Sequence, residues 1–97
     1  MKIPTELKEQ IITKVQVLNK KLNLDYKVRI SGKYFYLDNN GEKTARLKYT
    51  GGMLNWDFAI FKWSSETYDS EEMFFPGAEE LDGTIEGAMK AGDLAYR

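Results

Sequence analysis

Cysteine and histidine are both absent from the 97 residues. Without cysteine there is no disulfide and no thiolate chemistry, and the redox compartment is left open. Without histidine the chain lacks the commonest general base, the commonest transition-metal ligand and any Ser-His or Cys-His nucleophile pair. Carboxylate, lysine or tyrosine chemistry stays available, but no spacing singles out a catalytic pair. Apolar runs are short as well: none approaches the roughly 18 residues needed to cross a bilayer. The opening MKIPTELKEQ lacks the apolar core of a signal peptide. The expectation is a non-enzymatic protein with no membrane partner, no cofactor and no catalytic or metal site, located in the cytoplasm.

What is present suffices for one core. At this length folding hides roughly 60 to 70% of the surface an unfolded chain exposes, so residues 1 to 97 read as a single domain. Hydrophobic residues make up 42% and aromatics 13%, while 30% are charged with a net charge of -1, a balance that suits a globular chain. That near-neutral total hides an asymmetry. Residues 1 to 50 hold 11 Lys/Arg against 5 Asp/Glu, and residues 51 to 97 hold 3 against 10.

Apolar periodicity divides the chain into three parts. Leu7, Ile11, Val15, Leu18 and Leu22 follow one another at steps of four, four, three and four, the stripe of an amphipathic helix over 5 to 22. Pro4 suits its first turn, and Lys20 and Lys21 suit the negative end of its dipole. From Asp25 to about Phe75 the period becomes two, between Gly/Asn/Ser groups that mark turns. The reading is an α+β fold: a five-stranded antiparallel meander flanked by helices, with strands over 26–30, 33–38, 43–49, 53–63 and 67–74. Pro76 and Gly77 end the sheet, and a C-terminal helix follows, capped by Asp82 or Thr84, with Ile85, Ala88, Met89, Gly92, Ala95 and Tyr96 along one side.

Turn lengths then predict faces, because side chains alternate along a strand. A two-residue Ser31-Gly32 turn sets Val28 opposite Phe35. A three-residue Asn39-Asn40-Gly41 loop with a bulge sets Asp38 opposite Glu42 and leaves Thr44 outside with Tyr36. A two-residue Gly51-Gly52 turn sets Leu47 opposite Trp56 and Arg46 opposite Asp57. The three together predict an inner face of Tyr26, Val28, Ile30, Phe35, Leu37, Ala45, Leu47, Tyr49, Leu54, Trp56, Phe58 and Ile60, covered by both helices.

The opposite face carries the candidate site: Lys27, Arg29, Tyr34, Tyr36, Arg46, Lys48, Phe61 and Trp63. Cations interleaved with aromatics either contact protein, where Tyr, Trp and Arg dominate, or stack single-stranded nucleic acid. A plain solvated face, with cross-strand pairs such as Arg46 with Asp57, is the alternative to both. Net charge ranks a protein partner or self-association first, since nucleic-acid affinity comes largely from neutralising phosphates. The acidic stretch from Glu66 to Asp82 lacks calcium-loop spacing and reads as a charged sheet edge. Gly83-Thr84 reads as an ordinary helix cap, since Glu79, Glu80 and Asp82 repel anions. In Phe74-Phe75-Pro76-Gly77, one phenylalanine plugging the core competes with an exposed one in a recognition loop. The order helix, sheet, helix is similar to the frataxin-like architecture in topology alone. That family's iron handling calls for an acidic first helix, whereas this one carries Lys8, Lys14, Lys20 and Lys21, so no function is carried over.

Overall fold

The computed structural model describes residues 3–52, 55–72 and 74–96. Helix α1 spans Thr5–Leu22 and α2 spans Ile85–Ala95; between them run β1 (Tyr26–Ser31), β2 (Tyr34–Asn39), β3 (Glu42–Lys48), β4 (Asp57–Lys62) and β5 (Thr67–Asp69). The strands form one antiparallel sheet in the order β1-β2-β3-β4-β5, the meander that the period-two pattern predicts. No helix among the described residues is long and apolar enough to cross a membrane.

In α1 the predicted stripe buries Ile11, Val15 and Leu18, and Pro4 sits one position before the helix as its cap residue. The helix stops where Asn23 turns left-handed at φ 57° and the Leu24 N–H donates to the Asn19 carbonyl at 2.9 Å, a closure that satisfies an otherwise orphaned acceptor. The Asn19 side chain then ties α1 to β1: its amide donates to the Tyr26 carbonyl and its oxygen accepts from the Tyr26 N–H, each at 2.9 Å.

None of the three turns falls where predicted, yet the faces survive. Ser31 pairs with Tyr34, so the first turn is Gly32-Lys33, with Gly32 at φ 59°. A type II′ turn wants glycine at its first central position, which moves the turn one residue along. Each pairing shifts by two, keeping parity: Val28 faces Leu37 and Ile30 faces Phe35. At the second turn Asn39 pairs with Glu42, leaving Asn40-Gly41 as a two-residue turn at φ 55° and 82°. These left-handed angles match the strand twist, and Asn-Gly adopts them cheaply, so the predicted three-residue loop is corrected. Such a turn alone would have expelled Phe35 and Leu37. A bulge reverses the damage: Leu37 pairs with Ala45 but Asp38 with Lys43, so Thr44 is the extra residue. Thr44 consequently points inward and is buried beside Ala45, not outside as expected; its hydroxyl donates to the Glu42 carbonyl at 2.9 Å and accepts from the Asn39 N–H.

The third connection is longer than a tight Gly-Gly turn. Leu47 faces Phe58 and Arg46 faces Ala59, two positions from the predicted register, and β4 begins at Asp57. Met53 and Leu54, placed in the fourth strand by the sequence, lie outside the described residues. β5 stops at Asp69 instead of running to Phe74.

Tyr26, Phe35, Leu37, Ala45, Leu47, Trp56 and Ile60 are buried as predicted, with Val28, Ile30, Tyr49 and Phe58 packed at the margin. Helix α2 reaches this face through Gly92, where an added Cβ would lie 2.6 Å from the Tyr26 hydroxyl and 2.7 Å from Thr44 Cγ2. The absent side chain brings the α2 backbone close enough for the Tyr26 hydroxyl to donate to the Met89 carbonyl at 2.7 Å. At the other end Thr84 caps α2, its hydroxyl accepting from the Gly87 N–H at 3.0 Å.

Replacing Gly92 by alanine is expected to destabilise the protein in urea denaturation, because overpacking costs about 1–3 kcal/mol and outweighs the ~1 kcal/mol gain in helix propensity. A higher midpoint for Gly92→Ala would show that the sheet yields freely there.

Burial, and secondarily the Asp93 carboxylate, hold the Tyr26 pKa above that of a free phenol. The neutral phenol is thus preferred in the folded state, and its stabilisation is complete below the unfolded phenol's pKa and falls as pH rises beyond it. Tyr26→Phe should lose about 1 kcal/mol at neutral pH while flattening part of the stability decline above about pH 10. Denaturation series at several alkaline pH values test this, and an unchanged slope counts against it.

Candidate functional site

Both helices lie on the inner face, so the outer face has no helical cover. Lys27 and Arg29 on β1, Tyr34 and Tyr36 on β2, Arg46 and Lys48 on β3 and Phe61 on β4 share that face, because Arg29 pairs with Tyr36, Tyr36 with Arg46 and Tyr34 with Lys48. Trp63 follows the end of β4 and sets its ring edge-on to Phe61 at 4.8 Å.

The face covers itself. A flat sheet would separate β1 from β5 by about 19 Å, at some 4.8 Å per strand. Yet Tyr68 on β5 places its hydroxyl 3.4 Å from Arg29 Nη2 on β1 and its ring 5.2 Å from that of Tyr36 on β2. The sheet therefore curls toward this side, and Tyr68 fills the hollow. Phe61 lies 4.9 Å from Tyr68 and is only 2% exposed, with the Lys43 ammonium 5.5 Å from its ring centre. Phe61 thus acts through packing and does not belong to an accessible surface.

The cations are set against the rings. The Arg46 guanidinium lies 4.4 Å from the Tyr34 ring and 5.6 Å from Tyr68, and Arg29 lies 5.1 Å from Tyr36. Arg29 also makes a two-pronged pair with Asp38, at 2.6 and 3.0 Å, and these hydrogen bonds push its already high pKa further up. Burial raises the Tyr68 pKa, against the opposing pull of Arg29. Lys27, Arg29 and Trp63 remain exposed, while Tyr34, Tyr36, Arg46 and Lys48 are half-buried.

One corner beside this face was only half legible from the sequence. Trp63, Phe74 and Tyr96 line a hollow of about 250 Å³ together with Ile60, Lys62 and Glu72. Their exposures are 47, 96 and 46%. In the Phe-Phe-Pro-Gly loop both predicted roles are filled: Phe75 stacks on Phe58 at 6.0 Å, and Phe74 projects outward. Tyr96 is corrected from the covered side of the C-terminal helix. It lies just past the last turn of α2, where its ring swings to the corner and its hydroxyl donates to the Phe61 carbonyl. A helical wheel drawn past the true helix end misplaces it.

Elsewhere, charges are used internally. Lys62 pairs with Glu72 at 3.0 Å and Asp69 at 3.7 Å, and the Glu72 pKa is lowered first by the Phe74 N–H and then by Lys62. Asp82 accepts from the Thr84 hydroxyl and N–H, which hold its pKa down. A hollow of about 760 Å³ lies between α1 and α2. Its Glu86 is paired with Lys21 at 3.1 Å and Lys90 at 3.2 Å. Among the described residues no three carboxylates, cysteines or histidines gather as a metal-ligand set.

No protein-family model, no curated protein and no solved structure matches this chain.

Truncating Arg46 to alanine should lower stability by about 1 kcal/mol, the worth of a partly desolvated cation over aromatic rings. Arg46→Lys should recover only part of it, since an ammonium lacks the stacking plane. Urea denaturation of both variants reads this directly; an unchanged Arg46→Ala midpoint would mean that the guanidinium adds no packing.

Proposed function

We propose that this domain is a small, non-enzymatic protein-binding module that docks a partner protein, or a second copy of itself, on the helix-free face of its sheet together with the corner where the end of β4 meets the end of α2. The corner of Trp63, Phe74 and Tyr96 carries this reading. Three large rings left accessible around one hollow form an apolar anchor of the kind that interfaces desolvate, and Trp and Tyr are the residues on which binding energy concentrates. Lys27, Arg29, Tyr34, Tyr36, Arg46 and Lys48 extend the proposed surface across β1 to β3 as its polar and cationic part.

The same geometry supports protein over single-stranded nucleic acid. A base needs a free ring face, but Tyr34, Tyr36 and Tyr68 are already engaged by arginines and by one another. A phosphate needs an uncommitted cation, and Arg29 is already bound by Asp38.

Two measurements test the proposal. A photoreactive amino acid in place of Lys48, introduced in the cells that make the protein, should yield a discrete cross-linked product that Trp63→Ala with Phe74→Ala abolishes. A sedimentation dilution series on purified protein assigns that product to a second copy if the mass changes with concentration. Cross-linking that survives the double variant would move the interface away from this corner. Salt-sensitive NMR shifts at Arg29, Tyr36 and Arg46 on adding mixed single-stranded oligonucleotides would replace the protein partner by nucleic acid.

A further inference from the structure

Strand β1 is one border of the sheet. Along such a strand the N–H and C=O groups of alternate residues point away from the neighbouring strand. Tyr26 shows which residues these are, because both of its backbone groups are taken by Asn19 from outside the sheet. Val28 and Ile30, two and four residues on, point their groups the same way. Lys27, Arg29 and Ser31 occupy the intervening positions, turned toward Asp38, Tyr36 and Tyr34. Among the described residues nothing bonds to the outward groups of Val28 and Ile30. Two donors and two acceptors therefore stand open in a row.

The surroundings give this edge a chemical character. Ile12 precedes Asn19 by seven residues, two helical turns, so it lies on the same flank of α1, the flank that meets the β1 edge. It is 37% exposed. Lys8, one turn earlier, shares the flank. On the other side of the edge Lys27 and Arg29 stand exposed. The carboxylates around it are Asp38, bound by Arg29, Asp25 just before the strand, and Glu9, one turn before Ile12 on α1.

We propose that the β1 edge is a strand-addition site for an extended segment of another protein, one that alternates carboxylate with apolar side chains. The carboxylates would stand on the side of Lys27, which has no ion pair among the described residues, whereas Arg29 is held by Asp38; the apolar residues would stand beside Val28, Ile30 and Ile12. A second copy is a poor occupant. Antiparallel β1 on β1 sets Lys27 against Arg29 when Val28 meets Val28, or Arg29 against its own copy when Val28 meets Ile30, and in-register parallel pairing sets like against like, which is how natural edges resist self-pairing. The opposite border, β5, has three residues, and the Glu71 N–H after it is turned back onto Asp69. This site is separate from the Trp63 corner and does not rest on it.

Amide hydrogen exchange by NMR tests the proposal on the whole chain. The probe is a synthetic peptide of about eight residues alternating glutamate and valine, with a counterpart N-methylated at alternate positions. At saturation the Val28 and Ile30 amides should exchange at least roughly tenfold more slowly, while those of Lys27 and Arg29, already bonded to β2, stay as they were. The N-methylated peptide should not bind, and Lys27→Glu should weaken the parent peptide by about tenfold. The proposal is overturned if the parent peptide fails to bind, binds without protecting Val28 and Ile30, or binds as well when N-methylated. Protection of those amides that grows with protein concentration alone would give the edge to a second copy and overturn it equally.

Discussion

The fold turns on the contact between the Tyr26 ring and the α2 backbone at Gly92. A phenol buried at the first residue of β1 must satisfy its hydroxyl, and it does so on the Met89 carbonyl, inside a helix 63 residues away. That bond requires the helix to approach closer than any side chain at 92 would allow. Thr44 occupies the other side of the same gap, and it points inward only because the β-bulge turns it there. One junction thus joins the first strand, the bulged third strand and the last helix. Asn19, bonded to both backbone groups of the same tyrosine, adds the first helix.

With both helices drawn to that face, the other side of the sheet has to stabilise itself. A flat sheet would leave Phe61 and Ala59 in water; the curl brings Tyr68 back across β2 and β3, so both are 2% exposed. Arginine makes this second cluster possible. Its guanidinium lies against a ring while its polar edge stays wet, so Arg29 and Arg46 fill gaps that an apolar side chain would fill in an ordinary core.

Helix α1, the strand order and the inner face were legible from periodicity, because burial on one side imposes period 3.6 on a helix and period two on a strand. Turn positions were not legible. Each hairpin was misplaced, and the faces still came out right because a pairing shift of two leaves parity intact. The second hairpin was rescued differently: the Asn40-Gly41 turn breaks parity and the Thr44 bulge restores it, two opposite changes that a count of loop residues cannot separate. The candidate site divides along the same line. Its strand residues were placed on the correct face by alternation. The burial of Phe61 and the gathering of Trp63, Phe74 and Tyr96 were hidden, because curl and the end of α2 depend on contacts between segments far apart in sequence.

The charge asymmetry of the chain takes an unexpected form in space. Of the ion pairs among the described residues, only Lys21 with Glu86 joins the basic half to the acidic half; Arg29 uses Asp38 from its own half, and Lys62 uses Asp69 and Glu72 from its own. Across the sheet the halves meet largely through cations on rings, Arg46 on Tyr68 and Lys43 on Phe61, while Arg29 donates to the Tyr68 hydroxyl. A ring's quadrupole holds a cation without neutralising it, so the basic character of β1 to β3 is retained at the surface. A partner of the proposed kind would therefore bring negative charge to the basic face and apolar groups to the rings at the corner and to the β1 edge, which gain nothing from a purely ionic surface. An acidic, amphipathic protein segment meets both requirements. A bare polyanion meets only one.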